Sequence, residues 1–240
     1  SKRQDLINFS FLNGHRFYYR FSLAEILSAR NKFFAKTKFI LSSMDVLGNI
    51  FIDCKKLFHK NKNALSVESA TFNDELNEFI TKHQYNSLFK RNTKEFQWVF
   101  DFPWVEQADN DNEIDRRYHF TTSAKRFVKK AVTIRKNNQI HGFLLYSIKN
   151  QSMNIHYIFY ETDIEKDEFA EYIYSMIQKE KISTLVLTDQ KLIDSMKKKK
   201  GYIFSKNWTK GYFVGKKLLE KYPEIKSKEI FMGDGDTIFT

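Results

Sequence analysis

Cysteine, proline and glycine are all scarce in this chain, and each scarcity narrows what it can be. The single cysteine, Cys54, cannot close an intramolecular bridge. No CxxC or Cys/His cluster accompanies it, which argues against a structural zinc site and for a reducing compartment. Two prolines and eight glycines in 240 residues argue against collagen-like, low-complexity or disordered organisation. Long apolar runs are missing too, since none approaches the ~18 residues of a membrane-spanning helix. The opening "SKRQDL" lacks the charged-then-apolar order of a secretory leader, so a soluble, cytoplasmic protein is expected. The sequence starts at Ser1 rather than methionine, as a fragment or a tagged chain would.

What the chain does have is aromatic and basic character. A content of 42% hydrophobic and 16% aromatic residues predicts a core that needs no disulfide staples, in one large domain or two modest ones. The net charge of +11 suits nucleic acid, anionic lipid head groups or a phosphorylated ligand. Its clusters (Lys55, Lys56, Lys60, Lys62; Lys125, Arg126, Lys129, Lys130; and 197–200) read first as a solvated lysine surface. No strand interleaves aromatics with them, so nucleic acid is not the expected partner. The six histidines, His15, His59, His83, His119, His141 and His156, show no metal-ligand spacing, and no serine sits in a nucleophile elbow. Neither a metal site nor a catalytic triad is expected.

Periodicity gives the order of elements. "RFYYRF" reads as a strand and "SLAEILSARNKFF" as a helix with Ser22 as N-cap and Glu25 at capping-box spacing. "TKFILSS" is a short apolar run, and "MDVLGNIFIDCKKLFHKN" spaces Val46, Ile50, Cys54, Leu57 and Phe58 along one helical face. A brief strand and a helix starting near Thr71 follow, then an aromatic knot of Trp98, Val99, Phe102 and Trp104 and an exposed acidic loop at 108–115. Three extended runs between 126 and 160, split by polar clusters at 136–139 and 149–152, predict an antiparallel meander. After it come a helix over 163–179, the strand "TLVLT", a helix over 190–200, and a last pair of strands, "YIF" and "GYFVGK", joined as a hairpin at 205–207.

That order, a meander, a crossover helix, a strand, a short helix running into "KGYIF", then closing strands, resembles the GNAT acyltransferase superfamily over roughly residues 65–220. "LIDSMKKKKGYIF" looks like the family's short helix running into a Gly-aromatic strand start, and "QIHGFLLYSI" looks like the strand that precedes its central cofactor-binding strand. "FQWVFDFPWV" and "GDGDTIFT" resemble a Bacteroidetes-type group of bacterial GNAT-like proteins, fold-related to the aminoacyltransferases that build peptidoglycan bridges. The resemblance implies an α/β (α+β) fold with a GNAT-like mixed, mostly antiparallel central sheet flanked by helices. It also implies an N-terminal α/β half-domain over 1–64, an acyltransferase domain over 65–225 and a tail over 226–240. The implied activity is acyl transfer from acetyl-CoA or another acyl-CoA to the nitrogen or oxygen of a small-molecule acceptor, an amine or a sugar precursor.

By position in that family, acyl-CoA would lie between "NIHYIFY" and "TLVLT", against the backbone of Tyr157, Ile158, Phe159 and Tyr160, with Thr162 and Asp163 at the phosphate turn. Glu161, Asp234 and Asp236 are the candidate bases for the acceptor. The residues of the turn also support another reading. It has no glycine, and Glu161, Asp163, Glu165, Asp167 and Glu168 surround it with carboxylates that favour a helix start and repel phosphate. With Thr162 as N-cap and Glu165 three residues on, the helix caps itself. Counting back from Gly201 to the usual place of the family's tyrosine acid gives Lys197. A non-catalytic binding or scaffolding protein on the same fold is therefore the alternative expectation.

Overall fold

The computed structural model describes residues 6–28, 32–57, 67–102, 105–107, 122–199 and 201–234. A long first strand, β1 (Leu6–Tyr18), leads into three helices, α1 (Leu23–Ser28), α2 (Lys32–Lys36) and α3 (Lys38–Leu57). Short β2 (Val67–Ser69), α4 (Asp74–His83), α5 (Thr93–Asp101), β3 (Val105–Gln107) and β4 (Thr122–Ala124) come next. The meander is β5 (Phe127–Lys136), β6 (Gln139–Lys149) and β7 (Ser152–Tyr160). The chain continues through α6 (Asp163–Lys179), β8 (Thr184–Leu187), α7 (Gln190–Lys199), β9 (Phe204–Gly215) and α8 (Lys216–Lys221) to a 3-10 turn at Pro223–Ser227.

Seven of these strands form one mixed sheet in the order β2-β5-β6-β7-β8-β1-β9. Every neighbouring pair is antiparallel except β7 with β8. The mostly antiparallel sheet flanked by helices expected from the sequence is present. The meander turns where the polar clusters placed it: Asn137, Asn138 and Asn150 take positive φ, a conformation that asparagine tolerates better than most residues. β1 lies inside the sheet, between β8 and β9.

The strands bury both faces. On one, Phe169, Ile173 and Ile177 of α6 and Leu192 and Met196 of α7 pack on Ile134, Leu144, Tyr146 and Met153. On the other, Leu76, Phe79 and Ile80 of α4 and Phe96 and Val99 of α5 pack on Phe143, Leu145, Tyr157 and Phe159. The aromatic knot thus divides: Val99 is core, whereas Trp98 and Phe102 are exposed, and Trp104 lies outside the described residues.

Three local expectations are corrected. α4 is capped by Asn73, whose side chain accepts the Leu76 N–H, two residues after the expected start near Thr71. α3 begins at Lys38, inside the apolar run "TKFILSS", six residues before the helix expected from Met44. Residues 205–207 make no hairpin. They run inside β9, which pairs with β1 from Tyr18↔Phe204 to Leu6↔Gly215, and His15 Nδ1 lies 2.7 Å from Asn207 Oδ1. β9 is the last strand of the sheet, where polar side chains face water, so its composition mimics a turn.

Candidate functional site

Among the described residues the main sheet has one parallel pair, and it is short. β7 and β8 stay in register for three pairs, Ser152↔Thr184, Met153↔Leu185 and Asn154↔Val186, and then part. Two features cause the separation. β8 is only four residues long and stops at Leu187, whereas β7 runs on to Tyr160. β7 also carries a bulge: Tyr146 pairs with Ile155 and Leu145 with Tyr157, leaving His156 as the extra residue. A bulge bends its strand and increases the local twist. It also exchanges the faces of the sheet, so Met153 and Ile155 lie with α6, Tyr157 and Phe159 with α4 and α5, and Ile158 with α6 again.

The wedge so opened holds a cavity of about 290 Å³. Ile155, His156 and Ile158 of β7 form one wall, and Thr188, Asp189 and Gln190, at the start of α7, form the other. Leu12 of β1 reaches in because β1 continues beyond the end of β8, where His15 meets Leu187. Glu229, Ile230 and Phe231 of the C-terminal segment complete the lining.

That segment supplies the partner that β7 loses. Gly233 N–H donates to His156 O at 3.1 Å, and a side chain at Gly233 would begin 2.3 Å from the Tyr157 ring, so only glycine can lie this close. Asp234 locks the turn: its carboxylate accepts from Tyr157 Oη at 2.6 Å and from Phe231 N–H at 2.7 Å. Arg91 Nε donates to the same Tyr157 oxygen at 3.1 Å. Burial pushes the Asp234 carboxyl upward against these hydrogen bonds, and burial together with the Asp234 charge raises the Tyr157 hydroxyl. Asp234 therefore holds the tail against the sheet, and Asp236 lies outside the described residues.

The other expected residues divide between the wedge and its rim. Ile158 lines the cavity, while Phe159 stacks on Phe143 in the opposite core. Tyr160 donates to the Asp189 carboxylate, 3.2 Å from each oxygen, and Asp189 Oδ1 also accepts Leu192 N–H at 2.7 Å at the start of α7. Glu161 points to α4, where Lys82 Nζ lies 2.9 Å from its Oε1. Asp163 is exposed and lies 3.2 Å from Lys191 Nζ, whose hydrogen bond holds its carboxyl below the usual range.

The rim itself is closed. Thr162 caps α6 with its side chain on the Ile164 N–H, and the Glu165 carboxylate accepts the Thr162 backbone N–H at 2.9 Å, completing the box. Burial would raise the Glu165 carboxyl, but hydrogen bonds from Lys136 and from Thr162 outweigh it and bring it down to about 2. The donors that a phosphate would use are in part already taken, and the charge nearest to them is negative.

The sequence reading missed His156. It is buried, with Nε2 2.8 Å from Ser147 Oγ and Nδ1 without a hydrogen-bond partner among the described residues. Burial and the nearby Lys129 charge lower its pKa to about 3, so it stays neutral at physiological pH. The signal was present, as a lone histidine in the apolar run "NIHYIFY", but nothing in that run marks the bulge. Asp189 was legible in principle as an acid between a strand and a helix. Among the described residues no group of three or more His, Cys, Asp or Glu could hold a metal ion, and no helix is long and apolar enough to cross a membrane.

No family model matches the chain, and no curated protein matches it. Solved structures do. Two are N-myristoyltransferases of Saccharomyces cerevisiae with bound myristoyl-CoA. The first is 12% identical over 65% of this chain and 40% of that one, with a TM-score of 0.35. The second is 11% identical over 85% and 51%, with a TM-score of 0.41. A conserved protein of unknown function from Staphylococcus epidermidis is 10% identical over 85% of this chain and 61% of that one, with a TM-score of 0.33. The chain thus spans about half or less of the length of the two myristoyltransferases.

Proposed function

We propose that the wedge between β7 and β8 receives the pantetheine arm of an acyl-CoA, and that the protein transfers the acyl group to an amine or hydroxyl of a small acceptor. The observation that carries this reading is the three-pair limit of the one parallel contact among the described strands of the main sheet, followed by a cavity lined by β7 and by the residues just after β8. The wedge offers an extended ligand the edge of β7 that β8 leaves, once the tail is displaced from it, and apolar contact from Leu12, Ile155 and Ile158. Asp189 and Glu229, the two carboxylates lining it, are placed to take a proton from the attacking amine as its nitrogen bonds to the thioester carbon and the thiolate departs. Glu161, paired with Lys82, and Asp234, enclosed in the tail turn, are less suited to that role.

Two observations favour the non-catalytic alternative. α6 is self-capped, and Gly233 already occupies the His156 carbonyl on the free edge of β7, so an acyl-CoA has to displace the tail. Thermal unfolding with acetyl-CoA and with longer acyl-CoAs separates the two. A ligand at ~100 times its Kd adds about 2.7 kcal/mol, which for a chain of this size raises Tm by roughly 5–10 °C. A shift with any chain length, followed by release of free thiol on adding an amine, is expected. Unchanged Tm across the whole series would leave the binding or scaffolding reading.

A further inference from the structure

α3 is mounted the wrong way round. Its acidic and amide side chains bind the protein: Asp45 accepts the backbone N–H groups of Leu23 and Ala24, each at 2.8 Å. One turn on, Asn49 accepts Phe21 N–H and donates to Phe21 O, and a turn further Asp53 pairs with Arg20 at 2.6 Å. Those residues recur every four positions, so they form one stripe. Phe39, Ile40, Met44, Val46, Leu47 and Ile50 are left outside, all more than half exposed, with Phe39 at 83% and Leu47 at 69%. At 3.6 residues per turn the six cover an arc of about 160° that contains no charged side chain.

We propose that this face of α3 is a membrane-surface contact that lies in the interfacial plane of a bilayer bearing anionic lipid. Breadth argues for lipid, because the seam by which two helices pair is a narrow a/d stripe, whereas this arc is broad enough to sink into an acyl boundary. Charge argues the same way. Asp45 is buried on backbone N–H groups and Asp53, outside the apolar arc, is neutralised by its ion pair with Arg20, so neither acid of α3 presents an unpaired charge to an anionic surface. Lys36, in α2, and Lys38, the first residue of α3, are exposed ahead of the apolar arc, and Lys55 and Lys56 follow it in sequence. The Lys36 and Lys38 side chains are long enough to reach headgroup phosphates while the apolar residues that follow them enter the hydrocarbon edge. The contact is independent of any chemistry in the wedge.

Sedimentation of the full chain with sucrose-loaded vesicles tests this. Vesicles of phosphatidylcholine with 30% phosphatidylglycerol (a composition of about this order suffices) should carry down most of the protein, and pure phosphatidylcholine much less. Ile40→Glu with Leu47→Glu should cut the bound fraction by about tenfold or more, with the far-ultraviolet dichroism unchanged. Lys36→Glu with Lys38→Glu, which keeps the apolar arc, should remove most of the preference for the anionic lipid. The assignment is overturned if neither vesicle binds, or if the Ile40/Leu47 variant binds as the wild type does. Lipid-free dimerisation that the same variant abolishes, without vesicle binding, would assign the face to a second copy instead.

Discussion

Two helices of this protein obey opposite rules. α6 turns Phe169, Ile173 and Ile177 into the core, caps itself with Thr162 and Glu165, and shows water a mixed charged surface. α3 is just as regular, yet it is anchored through Asp45, Asn49 and Asp53 and leaves its apolar side out. The difference lies in the partner. α6 crosses a sheet whose apolar face gains by removal from water, whereas α3 meets the segment 20–24, the loop and first turn of α1, whose backbone N–H groups and arginine need polar answers. Helical periodicity tells which residues share a face. It does not tell which way that face looks.

The sharpest way to separate the two is a truncation in α6. Phe169 is fully buried, and a side chain at Gly142 would begin 2.8 Å from its ring, so the sheet and helix are in close contact there. Phe169→Ala should cost ~3–5 kcal/mol in chemical denaturation. A loss below about 1 kcal/mol would mean that α6 is not the pillar of this face.

Acid should weaken the start of α6 next. The folded Glu165 pKa of about 2 lies below the ordinary 4.5, so its ion pair and cap contribute stability above about pH 4.5 that is lost as the pH falls toward 2. Lys136 Nζ, 2.7 Å from Glu165, is partly exposed, which reduces the effect to on the order of 1–3 kcal/mol. Lys136→Met should destabilise the protein at pH 7 and flatten this acid limb, in urea titrations at a series of pH values. An acid limb of unchanged depth would assign the cap's stability to Thr162 alone.

These contrasts explain what the sequence revealed. The Thr162–Glu165 box, the meander turns at Asn137, Asn138 and Asn150, and the inward residues of α6 were all legible because each rests on near neighbours in the chain. The wedge was legible only as a place. Its walls come from β1, β7, the start of α7 and the segment 229–231, and its opening depends on a bulge at His156 that no local signal encodes. The polar run at 205–207 misled for a related reason: its strand partner, β1, lies about 190 residues away in the chain, as the separation of His15 from Asn207 shows.

A smaller loss should follow from removing the anchor of α3. Asp45 is buried and takes two backbone N–H groups at the start of α1. Asp45→Ala removes the carboxylate that both donate to and should cost ~1–2 kcal/mol. Proteolysis confined to the 20–57 region, with the sheet intact, would be the accompanying sign.

The least effect is expected where hydrophobicity is greatest. Leu47, 69% exposed, gives up little contact when changed to serine, so Leu47→Ser should alter the stability of the lipid-free protein by less than about 0.5 kcal/mol. An ordinary core leucine truncated as far costs ~2–5 kcal/mol. Paired denaturation of Leu47→Ser and Phe169→Ala under one set of conditions measures the contrast directly. A loss above about 1 kcal/mol from Leu47→Ser would show that the outer side of α3 is already covered in the free protein, and would make the two helices alike after all.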